Sequence, residues 1–194
     1  MNTLILEETE LGPQPMDVYQ KLANDRILFI CNTLTDELAT DIVATLLLKD
    51  AENSEQKITL FINSEGGDIR NALMIYDVMQ MIEAPVETIC IGEATDEAAL
   101  ILMGGEKGMR FATKNSCISV TQLTHDGGYR ADLTDAKSIL EQSIVDNKRI
   151  MEILSKSSGK TVKQVSTDYD RRVYMNPKEA LKYGFLDGIV NHAK

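Results

Sequence analysis

The imidazole and thiol side chains are few and scattered. There are two histidines, His125 and His192, and three cysteines, Cys31, Cys90 and Cys117. A zinc site needs three or four closely spaced Cys or His ligands, usually in pairs, and no such spacing occurs. The cysteines are isolated, odd in number and set in apolar stretches. They read as small buried hydrophobes in a reducing compartment, not as a disulfide frame. No metal and no cofactor is expected. His192 lies close to the chain end, where side chains are least constrained. Gly66 and Gly67 stand between an apolar run and a helical pattern, where a tight strand-to-helix turn needs glycine geometry.

The elements that would position these residues alternate between strand and helix. A start with Pro13 and Pro15 reads as irregular, and Asp17–Ala23 as a short amphipathic helix. Arg26–Ile30, Lys57–Ile62 and Val86–Ile91 read as buried strands. Helices are expected from Asp36 after the Thr35 cap, over Asp68–Ile82, and near Asp96–Met103. A long helix from about Thr134 to Ser157 follows, with Gly159 as its stop. This alternation predicts an α/β layered core with parallel strands. The long helix carries an apolar face with no obvious partner in the chain.

Length and composition set limits. At 194 residues, with 43% hydrophobic and 26% charged residues, the chain fits one globular domain with a substantial core. A net charge of -10 without a Lys/Arg cluster disfavours nucleic acid. No apolar run approaches the ~18 residues of a membrane span. No basic head with an apolar core opens the chain, so no signal peptide is expected. The expected compartment is the cytoplasm, or an organelle stroma after removal of a leader.

Four stretches in order resemble the proteolytic subunit of the Clp protease. They are LEETELGPQPMDVYQKLANDRILFI, FINSEGGDIRNALMIYDVMQ, VETICIGEATDEAALILMGGEKGMRFATKNS and TDYDRRVYMNPKEALKYGFLDGIV. About two extra residues near Thr124–Asp126 are the only change in length. The resemblance implies a crotonase-like fold of stacked ββα units with a projecting handle of strand and long helix. It divides the single domain into an axial segment (1–20), a head (21–122 and 160–194) and a handle (123–159). It further implies seven-membered rings, possibly two stacked around a chamber, with an active paralogue and an AAA+ unfoldase as partners.

The same resemblance locates the residues that should do the chemistry, and two of the three are replaced. A serine peptidase needs a nucleophilic hydroxyl, a base, an acid that orients the base, and amide donors for the oxyanion. The family's serine position holds Asp96, its histidine position holds Thr121, and only the acid survives, as Asp168. Gly66, Gly67 and Glu97 match the oxyanion loop and the residue after the nucleophile, with Glu65 replacing a proline. Thr121 cannot take a proton near neutral pH, and carboxylates at 96 and 97 would oppose an oxyanion. A lost oxyanion donor costs roughly 10²–10³-fold, and an added negative charge should cost at least as much. The bland alternative is that acids in a helix's first turn gain about 0.3–1 kcal/mol each from its dipole. Thr59 and Phe61 match aromatic positions of the unfoldase docking pocket, so half of that aromatic character is expected to be lost. Asp170-Arg171-Arg172 resembles the charged ring contact.

A catalytically inactive, ring-forming Clp-type subunit is the favoured expectation. The alternative is an active ATP-dependent serine-type endopeptidase with a rearranged site, such as Thr95 or Ser119 with His125. Binding of an acyl thioester, as elsewhere in the superfamily, finds no signature here.

Overall fold

The computed structural model describes residues 4–9, 12–123 and 132–190. The chain opens with a hairpin of β1 (Leu4–Thr9) and β2 (Gly12–Asp17), antiparallel with Leu6 opposite Pro15. This replaces the irregular start read from the prolines. Residues two apart in a strand direct their N–H groups to the same side, so the ladder can use the alternate positions and spare Pro13 and Pro15. Helix α1 (Val18–Asn24) is capped by Asp17, whose side chain accepts from the Tyr19 N–H.

Strands β3 (Ile27–Cys31), β4 (Ile58–Ser64) and β5 (Val86–Thr95) run parallel, separated by α2 (Asp36–Glu52) and α3 (Ile69–Met81). Thr35 and Asp68 cap these helices, each accepting a backbone N–H from the first turn. Arg26 precedes β3 rather than opening it. At φ 64° it turns its buried guanidinium to the carbonyls of Lys49, Asn53, Gln56 and Lys57, binding the end of α2 and the loop after it.

Strand β5 is longer than its apolar run because its two halves pair differently. Thr88–Cys90 pair with β6 (Arg110–Thr113), whereas Glu93–Thr95 pair with β7 (Cys117–Val120). Between β5 and β6 lies α4 (Glu97–Met103), buried throughout from Ala98. The long helix α5 (Leu133–Ser158) ends at Gly159 in the left-handed conformation, φ 72°. Helix α6 (Val162–Asp168), β8 (Val173–Met175), α7 (Pro177–Tyr183) and β9 (Gly188–Val190) complete the chain. β8 runs antiparallel to β7, and β9 parallel to β6, giving a mixed α/β fold with a mostly parallel seven-stranded sheet.

Helix α5 has two different halves. Ile150, Met151 and Leu154 are buried in the core, so this half does have a partner within the chain. In the other half Leu133, Leu140 and Ile144 are uncovered, at 92%, 59% and 62% exposure, while Ile139 is half-buried. Among the described residues no helix is long and apolar enough to cross a membrane.

Candidate functional site

The bend between β5 and α4 is the most strained point near the expected site. Asp96 adopts φ 49° and ψ -113°, its N–H donates to the Ser119 carbonyl at 2.9 Å, and its carbonyl accepts from Ala99 at 3.1 Å. A non-glycine residue held there costs of order 1–3 kcal/mol. A sharp strand–turn–helix bend of this kind lifts a nucleophile out of a sheet. Here it presents a carboxylate.

That carboxylate does not cap α4. Asp96 Oδ2 accepts from Arg172 Nη2 at 2.6 Å, and Oδ1 is buried without a partner among the described residues. Burial pushes the Asp96 carboxyl above its ordinary range, although the charge and hydrogen bond of Arg172 oppose the rise. Asp96 is thus held by an ion pair and not by a side-chain cap on α4. A helix of seven residues offers no side-chain cap here, and the buried acid depends on a cation 76 residues away in sequence.

Glu97 turns the other way, towards the glycine turn. Its Oε2 accepts the Gly67 N–H at 3.2 Å. Burial is the largest influence on its carboxyl and pushes it up; its own N–H and that of Gly67 oppose, while Asp96 and Asp68 add repulsion. The glycines are required by this packing. A Cβ on Gly66 (φ 105°) would lie 2.6 Å from Glu97 Oε2, and one on Gly67 (φ 154°) would lie 2.8 Å from the backbone N and O of Leu34. A groove of about 460 Å³ is lined by Ile69, Arg70, Glu97 and Leu123, and by Ile139 of α5. At its Gly67 end the amide is already taken.

A carboxyl whose folded pKa is raised weakens the fold at pH values above that pKa, and the penalty disappears on acidification. Glu97→Gln keeps an acceptor for Gly67 without the charge. It is expected to raise Tm near pH 7, with the gain shrinking as pH falls through the folded pKa of Glu97. Below about pH 4, under the unfolded value, no gain should remain. Thermal melts between pH 4 and 8 check this, and a Tm lowered at pH 7 would contradict it.

Thr121 lies just beyond β7 and shares with Asp96, Glu97, Leu100, Leu123 and Ile150 a cavity of only about 10 Å³. That is room for one water at most. Positions 67, 96, 97 and 121 are thus brought together. Asp168 ends α6 and accepts the Tyr183 hydroxyl at 2.7 Å; among the described residues it makes no hydrogen bond to Thr121 or Asp96. Burial and then the Asp168 carboxylate push the Tyr183 hydroxyl up, and Tyr183 packs among Tyr169 and Phe185.

Arg172 is the residue that sequence reasoning missed, having been grouped with a charged ring contact. Val120 pairs with Val173 across β7 and β8, so Thr121 and Arg172 are the next residues outward on the two strands. The Arg172 guanidinium is itself stabilised in the charged form, first by the Tyr174 hydroxyl and then by Asp96.

The hydroxyls of a rearranged site are sealed in the sheet. Thr95 and Ser119 pair across β5 and β7, both are buried, and Ser119 Oγ has no partner among the described residues. His125 and His192 fall outside the described residues. Cys90 is buried and free, whereas Cys31 and Cys117 are half-buried rather than fully buried as read from sequence.

On the other side of the sheet, Phe61 stacks on Phe29 at 5.2 Å, and Tyr19 meets Phe29 edge-on at 5.4 Å. Thr59 donates to Glu87 Oε2 at 3.0 Å. β3 and α1 thus add the Phe29 and Tyr19 rings beside Phe61.

The strand, glycine turn, bent helix entry and closing helix–strand unit all follow in the order of the four stretches picked out in the sequence. The family model described as Clp protease matches residues 10–193. This chain belongs to the Clp protease family.

Proposed function

We propose that the chain is a catalytically inactive Clp-type proteolytic-subunit homologue, a structural or regulatory member of an ATP-dependent Clp complex. In this reading Asp96 and Thr121 occupy the nucleophile and base positions, Asp168 the orienting-acid position, and Gly66, Gly67 and Glu97 the oxyanion loop. The observation that carries it is the Asp96–Arg172 ion pair at the bend where a nucleophile would stand. Among the described residues no hydroxyl or thiol there is hydrogen-bonded to a base, and the carboxylate at the bend is paired with a cation. The buried Thr95 and Ser119 hydroxyls give no support to a rearranged hydrolase.

The assembly proposed is a seven-membered ring, able to stack on a second ring through the handle (123–159). An active paralogue would supply the catalytic serines, and an AAA+ unfoldase would dock weakly near Thr59 and Phe61. The exposed apolar residues of α5 favour a handle-mediated contact, since a stripe of this kind is ordinarily covered. The test is to mix the chain with a catalytic Clp subunit and weigh the products by native mass spectrometry. Mixed rings are expected, and exclusion from every ring would count against the proposal. Leu140→Asp/Ile144→Lys is expected to lower the assembly state seen by light scattering while leaving the Tm of the head within a few degrees.

A further inference from the structure

We propose that Arg172 is the positioning residue of this silent site: it stands where a base would have to act and serves as fixed counter-ion to whatever anion position 96 carries. The inference rests on the reading of 96 and 121 as nucleophile and base positions. A base must come within about 2.6–3.2 Å of its nucleophile. The only group among the described residues hydrogen-bonded to the Asp96 side chain is the Arg172 guanidinium, at 2.6 Å. It arrives from the strand beside Thr121, and two ties hold that approach. β8 is laddered to β7, and the Gln122 side chain donates to both the carbonyl and Oδ1 of Asp170.

Among the described residues, the remaining surroundings of Asp96 do not play this part. Glu97 from α4 is an acid directed at Gly67, and Asp170 is turned to Gln122. Thr121 is neutral, Leu100, Leu123 and Ile150 are apolar, and the Tyr174 hydroxyl stabilises the Arg172 guanidinium itself. A guanidinium cannot accept a proton in a protein, because it stays charged throughout the accessible range. Arg172 therefore stabilises an anion at 96 without being able to create one by proton removal. Restoring a serine at 96 would leave a hydroxyl facing a cation instead of a base.

The test replaces the carboxylate with a reporter. In Asp96→Cys, alkylation of the introduced thiol by iodoacetamide, followed by mass spectrometry of its peptide, should show a lower midpoint than the same variant carrying Arg172→Gln. Adding Arg172→Gln should slow alkylation at pH 7 about tenfold or more, and Arg172→Lys should preserve most of the rate. Superimposable pH profiles with Arg and Gln at 172 would overturn the proposal. If the cysteine variant does not fold, ¹³C NMR titration of the Asp96 carboxyl in the native chain and in Arg172→Gln decides the matter. The midpoint should rise by about one pH unit in the variant, and an unchanged midpoint would overturn the proposal. Reaction of the native chain with a serine-directed probe would sink the inactive reading and leave these profiles untouched, so the two failures are distinguishable.

Discussion

Asp96→Ser/Thr121→His is expected to hydrolyse short fluorogenic peptides barely above background, and adding Glu97→Met should raise turnover roughly 100-fold. The added change matters because Glu97 Oε2 occupies the Gly67 N–H, a donor of the proposed oxyanion loop. Removing the carboxylate frees one donor, and a single donor is worth about 10²–10³-fold in rate. Neither Asp96→Ser nor Thr121→His should act alone, because nucleophile and base function as a unit. Asp168 introduces a further dependence. Its Oδ2 already accepts the Tyr183 hydroxyl, so Tyr183→Phe should improve the reconstructed site by releasing the carboxylate for an imidazole at 121. Turnover in either single variant, or no gain from Glu97→Met, would contradict this arrangement.

Asp187→Ala is expected to cost about 3–5 kcal/mol, because it strands the buried Arg110 guanidinium. Arg110 donates through Nε and Nη2 to the two Asp187 oxygens, each at 2.7 Å, and its Nη1 reaches Ser157 at the end of α5. The Gly108 and Arg110 N–H groups donate to the same carboxylate. Burial works against the Asp187 charge, but the guanidinium and these amides outweigh it and hold the carboxyl below its ordinary range. A depressed carboxyl gives stability that is complete above its unfolded value of about 3.9 and is lost as pH falls through the folded value. The difference in Tm between native and variant should therefore be about 10 °C and constant above pH 5, then narrow below pH 4. A loss of only about 1–2 °C would show that the pair contributes little.

The alternation of strand and helix was legible because β3, β4 and β5 are apolar runs and α2, α3 and α5 carry strong end signals at Thr35, Asp68 and Gly159. The short strands β7, β8 and β9 were not, since three or four residues give no readable period. The opening hairpin was hidden by Pro13 and Pro15, which count as breakers until the direction of their missing N–H groups is considered. Within the candidate site, the glycine turn and the two acids were visible as residue types, and Glu97 was expected beside the turn amides. What the Asp96 carboxylate does was not visible. Its partner comes from β8's approach, and a contact spanning 76 positions leaves no local signal. The half-and-half packing of α5 escaped for a similar reason, because its apolar spacing is continuous while the core beneath it is not.

Active-site titration of the purified native protein with a fluorophosphonate tests most directly the proposal that no nucleophile works in this chain. Intact-mass analysis should show no covalent adduct at any serine or threonine, under conditions in which a catalytic Clp subunit is labelled to completion. One adduct per chain, mapped to Thr95, Ser119, Thr121 or any other hydroxyl, would contradict the account.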